Sequence, residues 1–305
     1  MPQSPRPIEP LEARLLLSSV VRTGQTLRIY GDAGVDNVIT LGLDVTRRSV
    51  VVTVNGEVTP IESRDLRRVR IFGDAGNDHI TVDNGQSRFS IQTYIFAGAG
   101  DDRVICRNER DYVEGGDGDD RLSLGGGRNF GFGGLGADVI DGGGQRDFIS
   151  GGAGPDLITG GGDRDQLQGD NGDDTILGGY ADESLNDIED DDDNRDDDDP
   201  AFISGDGSDL IFGGRGNDSI LGQSAKDVIF GQDGDDVIDG GSDSDEIFGM
   251  AGNDTIAGGS DRDTIWGGGG ADQLRGGSGG GDLHQGEYAL VYEFIDVIRP
   301  RVVDA

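Results

Sequence analysis

A nine-residue repeat occupies much of this chain and constrains its fold more than any other feature. From Gly133 the sequence divides into consecutive blocks that read GGLGADVID, GGGQRDFIS, GGAGPDLIT, GGGDRDQLQ and GDNGDDTIL. The blocks resume at Gly213 as GGRGNDSIL, GQSAKDVIF, GQDGDDVID, GGSDSDEIF, GMAGNDTIA, GGSDRDTIW and GGGGADQLR. Each block begins with Gly, usually has Asp at position six and carries an aliphatic residue at position eight. Tandem repeats of this kind indicate a solenoid, in which each repeat buries its apolar side against its neighbours.

The pattern within a block predicts a turn followed by a short strand. Positions one to six form the turn, because glycine tolerates a positive φ and lets backbone carbonyls converge. Positions seven to nine form the strand, with the residue at position eight pointing inward. Two blocks then make one coil of 18 residues, and successive coils stack about 4.8 Å apart. The sequence therefore predicts an all-β fold, a right-handed parallel β-roll or β-solenoid.

The blocks resemble the RTX family of haemolysin-type calcium-binding repeats, whose consensus is GGxGxDxUx with U large and aliphatic. The resemblance implies that several Ca²⁺ ions are bound between coils by turn carbonyls and Asp side chains. Electrostatics favours the same ligand, because carboxylates stacked at the strand spacing repel each other by about 1 kcal/mol or more per pair. A hard cation takes oxygen ligands, so we expect metal binding and folding to be one equilibrium.

The repeats fall into two sides that alternate along the chain. Side one has Gly at position four as well as at position one, and side two mostly lacks it. We select as candidate calcium ligands the sixth-position aspartates of side one, together with Asp209 after the interruption. The ten candidates are Asp102, Asp120, Asp138, Asp156, Asp174, Asp209, Asp218, Asp236, Asp254 and Asp272.

Side two carries a basic residue at position five in many blocks, directly before an acidic or amide residue. The bases are Arg110, Arg128, Arg146, Arg164, Lys226 and Arg262. Our hypothesis is that Arg–Asp pairing takes the place of some calcium on this side. The alternative is that position five is exposed and accepts any residue.

An aromatic column also repeats every 18 residues, at position nine of side two: Phe212, Phe230, Phe248 and Trp266. These rings would form either an exposed stripe for a cell-surface glycan or protein partner, or a structural stack between neighbouring strands. We favour the structural interpretation.

The ends of the chain and one interruption depart from the repeat. Residues 1–19 contain LEARLLLSS and resemble the LEPR-XLL segment of exported planctomycete-type proteins, although LEAR replaces LEPR. Residues 20–96 are interpreted as looser β coils with a hairpin at Asn55-Gly56 that caps the roll. The turn at Asp36 is expected to lack an adjacent coil. The roll is assigned to 97–186 and 204–284, separated by an acidic loop at 187–203. Residues 285–305 are predicted to form a capping strand.

Composition narrows the class of protein. The chain has 60 acidic and 25 basic residues and a net charge of −35, which argues against nucleic acid as a partner. No apolar run is long enough to span a membrane, and Cys106 has no second cysteine to pair with. His79 and His284 are the only histidines, and neither an HExxH nor a GxSxG motif is present. We therefore predict a non-enzymatic, extracellular calcium-binding protein. The alternatives are an adhesin that uses the aromatic stripe, or an accessory repeat region of an RTX enzyme.

Overall fold

The structure is a computed structural model that describes residues 19–44, 49–83, 91–107, 110–179, 208–278, 283–285 and 290–291. The LEPR-XLL-like segment up to residue 18, the acidic loop at 187–203 and residues 292–305 lie outside the described residues. Every regular secondary-structure element in the described residues is a β-strand. The strands are β1 (Ser19–Thr23), β2 (Thr26–Tyr30), β3 (Val38–Asp44), β4 (Ser49–Val54), β5 (Glu57–Glu62), β6 (Arg68–Ala75), β7 (His79–Asp83), β8 (Gln92–Ala99), β9 (Arg103–Cys106), β10 (Asp111–Asp117), β11 (Arg121–Ser123), β12 (Phe130–Leu135), β13 (Val139–Asp141), β14 (Phe148–Ala153), β15 (Leu157–Thr159), β16 (Gln166–Asn171), β17 (Thr175–Leu177), β18 (Leu210–Arg215), β19 (Ser219–Leu221), β20 (Val228–Asp233), β21 (Val237–Gly241), β22 (Glu246–Ala251), β23 (Thr255–Ser260), β24 (Thr264–Gly269), β25 (Gln273–Ser278), β26 (Leu283–Gln285) and β27 (Leu290–Val291).

These strands form two long sheets. Sheet A has the order β1-β2-β6-β8-β10-β12-β14-β16-β18-β20-β22-β24-β26, and sheet B has the order β27-β25-β23-β21-β19-β17-β15-β13-β11-β9-β7-β3-β4-β5. From β5 onward, consecutive strands alternate between the two sheets. Tyr112 of β10 pairs in parallel with Phe130 of β12, which is a step of 18 residues. The predicted parallel roll and its coil length are therefore confirmed.

The core lies between the two sheets and is built from the eighth position of each block. Ile140, Ile149, Ile158 and Leu167 are all fully buried or nearly so. Each such side chain contributes about 1.5–3 kcal/mol by leaving water. Because one strand supplies little more than one such residue, the core is a narrow stack that adds stability coil by coil.

The N-terminal end is more regular than the sequence indicates. Strand β2 pairs in parallel with β6, so that Thr26 lies opposite Arg68. The backbone N–H of Asn37 donates to Oδ1 of Asp78 at 2.6 Å. The expectation that the turn at Asp36 lacks an adjacent coil is therefore wrong. The 42-residue offset hid this contact, because the residues between the two motifs extend the edge of sheet B instead of separating the coils.

The predicted hairpin is present and covers one end of the roll. Strand β4 pairs antiparallel with both β3 and β5. Asn55 and Gly56 have φ values of 49° and 85° at the turn, as a type I′ turn requires. On sheet A, β1 pairs antiparallel with β2. Both sheets therefore end in an antiparallel strand, which protects the first parallel strand from pairing with another chain.

At the C-terminal end of the described chain, sheet B gains one more short strand. Leu290 and Val291 pair in parallel with β25. The described part of the chain includes no helix that is long and apolar enough to cross a membrane.

The two sides of the roll use different turns. On side one, position four has φ values between 124° and 152° from Gly76 onward, for example 125° at Gly136 and 152° at Gly172. A Cβ on Gly136 would overlap the carbonyl oxygen of Gly118 in the preceding coil. On side two, the same position is occupied by residues such as Gln145, whose φ is 70°. That value lies near the left-handed region that side chains tolerate, so side two does not need Gly there.

We predict that Gly136→Ala lowers the melting temperature in calcium by several degrees, because strain and overlap at such a position cost about 1–3 kcal/mol. Gln145→Ala is the matched control at position four of side two, and its melting temperature should stay close to that of the parent chain. Thermal unfolding followed by circular dichroism measures both. Equal effects of the two substitutions would contradict the turn assignment.

Candidate metal centre

Two columns of acidic side chains run along the roll, one under each line of turns. Column one, on side one, contains Asp78, Asp102, Asp120, Asp138, Asp156, Asp174, Asp218, Asp236, Asp254 and Asp272, with Asn37 at its N-terminal end. Column two, on side two, contains Asp111, Asn129, Asp147, Asp165, Asp209, Asp227, Asp245 and Asp263. All of these side chains are at most 3% exposed. The sequence places them inward because position six is two residues from the inward aliphatic residue at position eight.

A backbone hydrogen bond fixes each column-one carboxylate. The N–H of Asp120 donates to Oδ1 of Asp138 at 2.8 Å, and the N–H of Asp138 donates to Oδ1 of Asp156 at the same distance. Nine such bonds, from 2.6 to 3.1 Å, join the ten aspartates of column one. Each aspartate therefore links its own coil to the preceding coil.

The second oxygen of each column-one carboxylate has no hydrogen-bond partner. Oδ2 is buried and unpaired in all ten aspartates, although a buried polar atom in a folded protein is normally satisfied. In nine of the ten blocks, all except the one that begins with Ala97, this oxygen lies beside the first glycine. At Gly115, the space that a Cβ would fill is bordered by Oδ2 of Asp120 and, at 2.8 Å, by the carbonyl oxygen of Gly133. A carboxylate oxygen and a carbonyl oxygen thus converge where a side chain is excluded.

An outer row of acids and amides follows column one at position five. The side chain of Asp101 accepts a hydrogen bond from the N–H of Asp119 at 3.1 Å, and Asp119 accepts one from Ala137 at 2.8 Å. The same arrangement recurs from Asp173 through Asn217, Asp235 and Asn253 to Ala271. Side one therefore carries a buried and an exposed line of negative charge.

Burial raises the pKa of the column-one carboxyls. The pKa values are about 7 for Asp102, Asp120 and Asp156, and about 6 for Asp138, Asp174, Asp218, Asp236 and Asp254. Loss of water is the largest cause, and nearby carboxylates add to it, whereas the hydrogen bond from the backbone lowers the pKa. The ionised column is therefore costly unless a cation or a proton neutralises it.

Nine of the ten predicted ligands lie in column one, and Asp209 does not. The N–H of Asp165 donates to Oδ1 of Asp209 at 2.7 Å, which places Asp209 in column two. The interruption between residues 179 and 208 hides this position, since the number of inserted residues does not indicate the side on which the chain returns.

The Arg–Asp pairing predicted for side two does not appear at two consecutive coils. Arg146 and Arg164 are exposed, whereas Asp147 and Asp165 are buried, and no ion pair joins either arginine to the aspartate that follows it. The turn leaves each arginine exposed and directs the following aspartate into the roll, so adjacency in sequence does not bring the two charges together. Burial raises the pKa of Asp147 to about 8 and that of Asp165 to about 9; the charge of Arg128 lowers the pKa of Asp147 only in part.

Asp78 also belongs to column one, although it is not among the predicted ligands. Its N–H donates to Oδ1 of Asp102 at 2.6 Å, 24 residues away instead of 18. The segment GDAGNDHI around Asp78 has Gly at positions one and four and Asp at position six, as side-one blocks do. This match to the repeat could have identified Asp78 as a member of column one.

The aromatic column forms a stack, as the structural interpretation predicts. The ring centroids of Phe212, Phe230, Phe248 and Trp266 are separated in turn by 5.1, 4.8 and 4.4 Å, and the planes differ by at most 9°. A second stack, of Tyr30, Phe72 and Phe96, was not predicted and has spacings of 5.0 and 5.2 Å. Both stacks lie on sheet A at the same register.

The donor set fits a hard cation. Within the described ranges, no three His, Cys, Asp or Glu side chains form a cluster that could hold a metal on their own. The available ligands are instead carboxylates from consecutive coils and backbone carbonyls. All of these are oxygens, which is the chemistry that Ca²⁺ prefers, and the unpaired Oδ2 atoms supply the negative charge.

Comparison with known proteins agrees with this geometry. The RTX calcium-binding nonapeptide repeat family matches at residues 68–87, 96–131, 107–140, 125–158, 150–179, 203–238, 221–256 and 248–283. These ranges cover more than half of the chain, and the chain belongs to this family. It is a calcium-binding β-roll repeat protein. A search of curated proteins finds no match.

We predict that the calcium-free chain gains β structure as the pH falls from 8 to 5.5. The folded-state pKa values of column one lie above the ordinary value of 3.8, so folding favours the protonated carboxyl. This stabilisation is complete below about pH 4 and is lost as the pH rises through about 6 to 7. Far-UV circular dichroism in EDTA measures the change. The same titration in calcium is the control and should show no gain on acidification; loss of β structure in EDTA over this range would contradict the prediction.

Proposed function

We propose that this protein is a non-enzymatic, extracellular calcium-binding roll whose ions lie along column one and complete the fold. The observation that carries the need for a cation is the line of ten buried Oδ2 atoms without a hydrogen-bond partner in column one. Oδ2 of Asp147, Asp165 and Asp245 in column two is unpaired as well, so the choice of column rests on the turns and on position five. Seven of the ten column-one oxygens lie near a backbone carbonyl of the next coil, as at Asp138, Gly133 and Gly151. Bound Ca²⁺ would supply the positive charge that this line of oxygens otherwise lacks.

Column one is favoured over column two for two reasons. Side-one turns hold position four at φ values that suit only glycine, such as 133° at Gly118, whereas on side two only Gly127, at 121°, does so among the described residues, and residues such as Gln145 lie near 70°. The residue at position five is an acid or amide beside much of column one, whereas Arg128, Arg146 and Arg164 occupy this position beside column two. A positive charge one residue away opposes a divalent cation. Asn129 already occupies one position of column two, which indicates that this column does not require a carboxylate at every coil.

An extracellular location follows from the need for calcium. Sites with modest affinity fill at millimolar calcium and stay empty at cytosolic levels, so the roll would become ordered after export. The LEPR-XLL-like residues 1–19, which resemble a segment of exported proteins, support the same proposal.

Support for a non-enzymatic role comes from the reactive side chains. Cys106 is buried, and loss of water raises the pKa of its thiol well above the usual range, so it is a poor nucleophile. Burial lowers the pKa of His79, and the positive charge of Arg103 lowers it further. Neither of these two effects involves a nucleophile. The paired carboxylates are accounted for by the repeat itself.

The geometry of the aromatic rings does not support the alternative that the stripe binds glycans. In the stack from Phe212 to Trp266, neighbouring planes are nearly parallel, so the faces of the inner rings are covered by other rings. Sugar binding on aromatic side chains uses exposed ring faces. A purely structural role explains the stack without a ligand.

The number of bound ions tests the proposal. Column one has nine hydrogen-bonded junctions between aspartates, and column two has seven junctions. Equilibrium dialysis with metal analysis should give a count near that of column one. A count near the total of both columns, or near zero, would contradict the assignment.

A matched pair of substitutions separates the two columns. Asp138→Asn should remove about two ions, because its carboxylate borders two junctions, and should raise several-fold the calcium concentration needed for folding. Asp147→Asn changes the equivalent residue of column two and should leave both quantities close to those of the parent chain. Calcium titration followed by circular dichroism measures the midpoint, and reversed effects of the two variants would assign the ions to column two.

A further inference from the structure

A basic groove runs along the side-two edge of sheet A. Four exposed arginines line it, Arg110, Arg128, Arg146 and Arg164, together with Phe130 and Phe148. Successive arginines stand one coil apart, which is about 4.8 Å along the roll. The guanidinium of Arg110 lies 5.2 Å from the centre of the Phe130 ring, so its flat face is held against the wall of the groove.

The charge of this row of arginines is opposite to the net charge of the molecule. At the same position of the turn, side one carries exposed acids such as Asp101, Asp119 and Asp173. The chain as a whole has a net charge of −35. A row of four arginines in such a chain is therefore a local site for a linear anion, whereas side one repels anions.

A strongly acidic segment joins the roll at one end of this row. Ten of the thirteen residues 187–199 are Asp or Glu. The described chain stops at Gly179 and resumes at Ser208. Gln166 pairs with Leu210, so Ser208 has the same register as Arg164, the last arginine of the row. Leu210 itself lines the groove.

The connecting chain is long enough to reach every arginine. The 28 residues between Gly179 and Ser208 could span about 90 Å if fully extended. The row from Arg164 to Arg110 is only three coil steps long, or about 14 Å. The connecting chain is therefore long enough for the acidic run to contact every arginine of the row.

We propose that the arginine groove is the docking site for the acidic segment 187–199 of the same chain. Charge complementarity selects this groove, and the covalent connection holds the segment near it at an effective concentration in the millimolar range. A separate polyanion lacks this connection and must approach a protein of like charge. A single exposed ion pair contributes little, so docking depends on the whole row and weakens as salt screens it.

The distance between two spin labels tests the proposal in the full chain loaded with calcium. One label is placed at Asn194→Cys within the acidic run, and the other at Gln145→Cys, next to Arg146. The buried Cys106 is replaced by Ala in every variant. Double electron–electron resonance at low ionic strength should give a short, narrow distance distribution, which shifts to longer and broader distances in 0.5 M NaCl.

Substitutions identify what holds the segment. Arg128→Gln with Arg146→Gln should shift the distribution to longer distances even at low salt. Arg121→Gln, an exposed arginine on sheet B, is the matched control and should leave the distribution unchanged. Circular dichroism in calcium establishes that each variant folds. Added poly-L-glutamate should displace the segment only at high concentration. A broad distribution in the parent chain, or one that responds to calcium but not to the arginine substitutions, would overturn the proposal.

Discussion

The structure depends on a line of carboxylates that are buried at the spacing of β-strands. Each column-one aspartate uses one oxygen to accept a backbone hydrogen bond from the preceding coil, while the other oxygen stays buried and unpaired. At this spacing, adjacent charges repel by about 3 kcal/mol at an effective dielectric constant near 20. The narrow aliphatic core gains about as much per strand. Neutralising the column therefore decides whether the coils stack.

The same constraint explains why the two sides of the roll differ. On side one, glycine at position four lets the turns of successive coils approach closely, because a Cβ on Gly118 or Gly136 would overlap a backbone oxygen of the preceding coil. On side two, residues such as Gln145 adopt a left-handed turn, and arginines stand outside a column in which Asp147 and Asp165 have still higher pKa values. One sequence pattern thus builds one edge suited to cations and another that is partly basic. The aromatic stacks on sheet A add contacts between coils without using charge.

Much of the fold can be predicted from the repeat, because its period sets the coil length and its eighth residue sets the core. Nine of the ten selected aspartates share one column for the same reason. The failures occur where the period is broken. Asp78 is absent from the predicted ligands because the next aspartate of column one, Asp102, follows it by 24 residues instead of 18. Asp209 was predicted as a ligand together with the side-one aspartates but lies in column two, because the interruption hides the side on which the chain returns. The pairing of Arg146 with Asp147 failed for a different reason, since the turn leaves the arginine exposed and buries the aspartate.

The central claim is that calcium binding and folding of the roll are one equilibrium. The most direct measurement is far-UV circular dichroism at pH 7.5 after EDTA treatment, titrated with CaCl₂ and, separately, with MgCl₂. We expect a cooperative transition from coil to β structure with calcium and little change with magnesium, which keeps its octahedral geometry and dehydrates reluctantly. A full β spectrum in EDTA that calcium leaves unchanged would contradict the claim, because the core and the caps would then hold the roll without a metal.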